Sequence, residues 1–233
     1  YISWKGVFVF LALIGVIVLI FSFRLKESLS VENRLKGSIF STFLTFGVII
    51  KNRLFMSYVG IQSFLLGSMF AYIAASPFIF QSFYGLSAFI FSLCFGANGA
   101  ALVIGANVGG KLPNHKALAI GVLAFVVAAL YTIAVLIIQP YWLFVEIGFF
   151  AMLLLIGITF PAISSLAMES ERQYAGSASA LLGFAPFFLG GVVSPLVGIG
   201  NIFYSTSFVI LICALLALSI YWVIRHKIPT SAE

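Results

Sequence analysis

Seven long apolar runs, at about 6–23, 54–78, 87–109, 117–138, 142–168, 174–199 and 203–224, divide this chain. Each is at least about 18 residues long, enough for a helix rising ~1.5 Å per residue to cross a hydrocarbon layer ~30 Å thick. Lipid offers backbone amides no hydrogen-bond partner, so segments of this length satisfy their own backbones, and they do so as helices. The sequence therefore predicts an all-α polytopic membrane protein with seven transmembrane helices. Composition excludes the soluble classes. With 63% apolar and 8% charged residues, too little polar surface is left to cover a water-exposed globule.

The twelve Lys and Arg residues alternate along the connectors. Arg24, Lys26, Arg34, Lys36, Lys51 and Arg53 follow the first run, Lys111 and Lys116 the third, Arg172 the fifth, and Arg225 and Lys227 the seventh. The second, fourth and sixth runs are followed by none, and Lys5 alone stands on the other side. The positive-inside rule then puts the start of the chain outside and its end in the cytoplasm. A net charge of +6 spread over short loops at one membrane face is not the clustered basic patch that nucleic acid requires.

This pattern divides the chain into residues 1–23, the last helix of an N-terminal half; 24–53, a cytoplasmic basic linker; 54–224, a six-helix bundle; and 225–233, a cytoplasmic tail. Tyr1 opens almost directly onto a span, without the basic segment and small-residue cleavage site of a signal peptide. The chain thus reads as truncated at its N-terminus, one helix of a first half joined to a complete second half. Within the linker, Ser38 to Ile50 is apolar but too short to span, which predicts an interfacial helix along the cytoplasmic surface.

Function in such a chain resides in the polar and small residues of its spans. On the second run Tyr58, Gln62, Leu65, Met69, Tyr72 and Ser76 recur every three to four residues and share one helical stripe. Such a mixture of hydrogen-bonding, thioether and aromatic groups suits a permissive wall for amphipathic organic molecules, and equally an ordinary packing face. Asn98 on the third run is either another substrate contact or interhelical glue. Glu146, the one acidic residue well inside a run, lies about one turn into the fifth, beside the external connector Gln139-Pro140-Tyr141. A water-exposed carboxylate costs least there; the functional alternative is a group that attracts a cation or exchanges a proton.

Pro161 and Pro186 each remove a backbone donor, and Gly183, Gly190 and Ser194 leave the sixth run with little side chain, features suited to packing faces or hinges of a rocking bundle. Cys94 and Cys213 fall within apolar runs and read as small hydrophobes, so they suggest neither a disulfide framework nor a metal site. No catalytic or cofactor motif stands on these spans: Gly109-Gly110-Lys111 lacks the rest of a P-loop, and no Asp occurs anywhere. The chain reads as a non-enzyme without a cofactor, in contact with lipid.

The segment Ala71-Tyr72-Ile73-Ala74-Ala75-Ser76-Pro77-Phe78-Ile79-Phe80-Gln81, followed by Tyr84-Gly85-Leu86-Ser87 and by Phe91-Ser92 to Phe95-Gly96-Ala97-Asn98, resembles the opening of the second half of Bcr/CflA-type drug-resistance transporters of the major facilitator superfamily. Ala175-Gly176-Ser177-Ala178-Ser179-Ala180-Leu181-Leu182-Gly183 is similar to that family's signature between its tenth and eleventh helices. The resemblance covers essentially the whole chain, its seven runs matching helices six to twelve. It implies a bacterial inner-membrane, proton-driven exporter of drugs or small metabolites, with twelve helices in two bundles. The partners so implied are a small organic substrate, protons and an N-terminal half that this chain lacks. The sequence departs from the family in missing the first five helices, with the acidic residues that usually couple protons there. Phe184-Ala185-Pro186 also stands where a Gln-containing stretch is expected. Two other readings compete: a major facilitator transporter of another substrate class, such as a sugar or amino acid, and a seven-helix receptor or retinal protein, which the outside-to-inside topology superficially fits. The last run, Phe203 to Ile224, holds no Lys for a retinal Schiff base.

Overall fold

The computed structural model describes residues 4–24 and 45–228, which are helical and without strands. Seven helices are long and apolar enough to cross a membrane: α1 (Trp4–Ser22), α2 (Arg53–Pro77), α3 (Ala88–Gly109), α4 (Asn114–Ile138), α5 (Trp142–Ser170), α6 (Ala175–Val197) and α7 (Ile202–Ile224). Side chains at the boundaries start the helices where the apolar runs begin. Asn52 accepts from the amides of Leu54 and Phe55 at 3.0 and 3.2 Å, Ser87 from Ile90 at 3.3 Å, and Asn201 from Phe203 and Tyr204 at 2.9 and 3.4 Å. Each consumes amides that a helix's first turn leaves without partners. Past Pro77 the chain continues as a π-helical turn, Phe78–Phe83. It then reverses at Gly85, whose φ of +67° a side-chain-bearing residue rarely adopts.

The chain falls into two units, residues 1–40 and 41–233. The first contains α1. The second contains α2 to α7. There α3 and α4 pack on α5, α6 and α7 pack on α2, and the pairs α2/α5 and α4/α7 close the bundle. This pattern maps onto itself when α2 is exchanged with α5, α3 with α6, and α4 with α7. The six helices thus form two three-helix repeats, each with one central helix. Residues 25–44, which carry most of the expected linker and interfacial helix, lie outside the described residues, as do 229–233 of the expected tail; residues 45–49 are helical and Ile49 is fully buried.

Cross-bundle hydrogen bonds fix which loops share an end. The Asn52 amide donates to the Glu171 carboxylate at 2.6 Å and to the Ser170 carbonyl at 3.4 Å, and Asn114 donates to Ser165 at 2.9 Å. Lys51, Arg53, Lys111, Lys116 and Arg172 therefore gather at one end of the bundle. At the other end the Tyr84 hydroxyl donates to the Pro140 carbonyl at 2.8 Å. Burial raises its proton affinity above that of an ordinary tyrosine, so it remains a donor at neutral pH.

Candidate functional site

One polar cluster joins three helices of the bundle. Asn98 of α3, fully buried, uses both hydrogens of its amide: one goes to the Tyr72 hydroxyl of α2 at 2.9 Å, the other to Oε2 of Glu146 on α5 at 3.2 Å. Tyr72 and Glu146 are 1% and 7% exposed. Around them the Tyr72 ring lies 4.8 Å from Phe149 and 5.9 Å from Phe95, and Phe80 lies 6.3 Å from both Phe91 and Phe149. Oε1 of Glu146 and Oδ1 of Asn98 are buried with no hydrogen-bond partner. The one ion pair among the described residues is the exposed Arg172–Glu169 contact at 2.9 Å. The Glu146 carboxylate therefore has no cation of the described protein to balance it. In a low-dielectric interior such a group needs a countercharge, and a proton or a cation from solution can provide one.

The expected water-exposed carboxylate near the outer surface is not what forms. Position 146 is one turn into α5 as read from the sequence, but α5 packs on α3 there, and the side chain points inward to Asn98. No periodicity in a single run reveals which way one carboxylate turns. The structure thus brings Tyr72, Asn98 and Glu146 together, while Gln62, about three turns along α2 from Tyr72, lies elsewhere. Gln62 is buried and donates to the Leu182 carbonyl of α6 at 3.5 Å. Ser76 is fully buried and donates to the Ile73 carbonyl at 3.4 Å, and Met69 is half-buried against the core.

The helix-packing residues divide similarly. α5 runs through Pro161 and α6 through Pro186. Gly190 receives an aromatic ring: a Cβ there would stand 2.6 Å from Cγ of Phe70. Ser194 is half-buried, and a Cβ on Gly183 would meet nothing within 4 Å. The backbone-to-backbone approach occurs instead between α3 and α5. There a Cβ on Gly105 would stand 3.0 Å from Cα of Gly157, and one on Gly109 2.8 Å from Cα of Ile158. Gly105 and Gly109 stand at the four-residue spacing that signals close helix approach, so the sequence did carry that signal.

An apolar groove of about 780 Å³ lies among α4, α6 and α7, lined by residues such as Ile133, Leu189, Val193, Phe208 and Cys213. None of Gln62, Met69, Tyr72, Ser76 or Asn98 lines it.

Comparison with known proteins fits this architecture. The sequence model of the Major Facilitator Superfamily matches residues 1–195. The chain is 37% identical over 204 residues to the uncharacterized MFS-type transporter YdgK of Bacillus subtilis, an alignment covering 85% of this chain and 51% of that protein. It is 26% identical over 212 residues to the bicyclomycin resistance protein homolog of Haemophilus influenzae, covering 84% of this chain and 51% of that one. The chain thus spans about half the length of the relatives it matches.

Proposed function

The chain belongs to the major facilitator superfamily, and we propose that within it this chain is the C-terminal part of a proton-coupled exporter of drugs or small amphipathic metabolites. The superfamily consists of membrane transporters, not enzymes, and the chain is multi-pass. The Bcr/CflA-like motifs and the similarity to a bicyclomycin resistance protein homolog support the export reading. The coverage of about half of each relative supports a partner bundle of preceding helices, which would supply the other wall of an alternating-access pathway. The basic loops at one end of the bundle support a cytoplasmic assignment for that end, in a bacterial inner membrane with the start of this chain outside.

The observation that carries proton coupling is the Glu146 carboxyl, buried among α2, α3 and α5 with one oxygen unpartnered and no cation beside it. A group so placed exchanges its countercharge when the bundle opens to water on one side and closes on the other, as a coupling carboxyl must. In this reading Tyr72 and Asn98 serve the proton site. Met69, half-buried on the same stripe, is the candidate substrate contact.

The test is a twelve-helix form carrying Glu146→Gln, reconstituted in liposomes. An imposed pH gradient should drive efflux of an amphipathic drug through the unmutated protein and not through the variant, while equilibrium drug binding is retained by both. Undiminished gradient-driven efflux by the variant would remove Glu146 from the coupling step.

A further inference from the structure

Five buried side-chain oxygens have no hydrogen-bond partner among the described residues, and two of them, on Asn98 and Glu146, belong to groups that already share one hydrogen bond. Asn98 Nδ2 donates to Glu146 Oε2 at 3.2 Å, while Asn98 Oδ1 and Glu146 Oε1 receive nothing. With the carboxylate ionised, both of these atoms are acceptors, and two acceptors confined to one dry site repel. A carboxylic acid and a primary amide, by contrast, pair through two hydrogen bonds at once, each group donating once and accepting once.

We propose that Asn98 is a positioning residue that closes a two-bond acid–amide pair with Glu146 when the carboxyl takes up a proton, so that one proton locks α3 onto α5. The step rests on the reading of Glu146 as the proton carrier and deepens it. A proton from the aqueous phase adds to Oε1 and is then donated to Asn98 Oδ1. The existing Nδ2–H to Oε2 bond is kept, and no covalent bond of the protein breaks. Loss of the proton to water reverses the step. Both orphaned atoms are satisfied by this single proton, whereas a bound metal cation would displace the Asn98 amide hydrogen that already points at the carboxylate.

The lock reaches a third helix, because the second Asn98 amide hydrogen is held by the Tyr72 hydroxyl of α2. Titratable groups facing Glu146 are Tyr72 from α2 and Cys94 from α3. α4 brings Tyr131, whose hydroxyl is committed to the Phe144 carbonyl at 3.3 Å; its His115 and Lys116 stand at the basic-loop end. α6 carries no titratable side chain. The other described carboxylates, Glu169 and Glu171, stand at the basic-loop end of α5, where Glu169 pairs with Arg172 and Glu171 accepts from Asn52, so a proton taken up in the bundle interior has one acidic address.

The experiment is infrared difference spectroscopy of the full 233-residue chain in lipid, with pH as the variable and H2O/D2O exchange to identify the carboxyl C=O band. The unmutated protein should develop one strongly hydrogen-bonded carboxyl band as pH falls. Glu146→Gln should abolish it. Asn98→Leu, which keeps the side-chain volume and removes both amide bonds, should leave a carboxyl band displaced to higher wavenumber. Thermal unfolding gives the second readout. Stability of the unmutated chain should rise with proton uptake, whereas Glu146→Gln, whose own amide can form both bonds with Asn98, should be as stable as the acid form at every pH. A carboxyl band whose frequency is indifferent to Asn98→Leu would overturn the pair while leaving Glu146 as proton carrier. A spectrum with no band sensitive to Glu146→Gln would overturn both.

Discussion

Gly157 of α5 and Gly105 of α3 meet with no side chain between them: a Cβ on Gly157 would stand 3.1 Å from Cα of Gly105 and closer still to the Leu102 carbonyl oxygen. Neighbours that are backbone cannot swing aside, so Gly157→Ala must push two helices apart. Overpacking of this kind typically costs about 1–3 kcal/mol. Gly183→Ala, where a Cβ would meet nothing within 4 Å, should stay within about 1 kcal/mol of the unmutated protein. Unfolding in mild detergent would measure both. Equal stabilities for the two variants would mean that the α3–α5 crossing is looser than it stands.

Asn52 performs two tasks with one side chain. Its carbonyl oxygen caps α2, and its amide nitrogen reaches Glu171 at 2.6 Å at the end of α5. Asn52→Ala loses a cap worth about 1 kcal/mol and the charge-assisted bond besides. Asn52→Asp separates the two tasks, because it keeps the cap and sets a second carboxylate against Glu171. Like charges at that distance hold a shared proton more tightly in the folded state, so the Asp variant's stability should be highest at low pH and fall as pH rises through the carboxylate range, about 4 and above. The Ala variant should lack that added acid-side recovery. Parallel pH profiles of melting temperature for the two variants would argue against the Asn52–Glu171 contact.

The span count, their boundaries and the alternation of basic loops were legible because each rests on local quantities, run length and charge, that the bilayer reads directly. The individual residues of the polar cluster were visible for the same reason: Asn98 and Glu146 are polar side chains in apolar runs, whatever they face. Their pairing was not visible, because it depends on how α3 and α5 rotate against one another, and both helices are apolar on every side. A hydrophobic stripe points a helix at the core of a soluble protein, but in a span it points nowhere. The glycine crossing lies between these cases. Gly105 and Gly109 have the right spacing, but their counterpart Gly157 has Leu153 and Pro161, not small residues, four positions away on its own helix. The Gly190, Ser194 and Gly198 series has that spacing too, yet Gly190 accommodates the ring of Phe70 and a Cβ on Gly198 would meet only the Pro195 carbonyl of its own helix.

Charge predicts an orientation. Lys51, Arg53, Lys111, Lys116 and Arg172 are gathered at one end of the bundle, opposite the Tyr84–Pro140 contact. Reporters fused after Lys36 or after Lys227 should therefore be cytoplasmic, and labels inserted near Ser82 or Gln139 should react from outside. Cytoplasmic labelling at Ser82 would invert the whole assignment.

The last expectation concerns the chain on its own. The groups of α2 expected to form a cavity wall are already engaged within the six-helix bundle: Gln62 donates to Leu182, and Tyr72 accepts from Asn98. The buried oxygens that do lack partners, such as those of Asn98 and Glu146, lie inside the bundle and not on its lipid face, so the 233-residue chain expressed alone should insert and be recovered folded from the membrane. Transport is another matter. Alternating access needs a second body against which this one can rock, and the substrate path of such transporters runs between the two. The chain by itself should then confer no drug resistance and drive no proton-linked efflux from liposomes. Co-expression with a segment supplying five preceding helices should restore both, because the two bundles meet through non-covalent contacts. Vigorous gradient-driven efflux by the purified chain without that segment would defeat this expectation and would mean that the bundle completes its pathway by pairing with a second copy of itself.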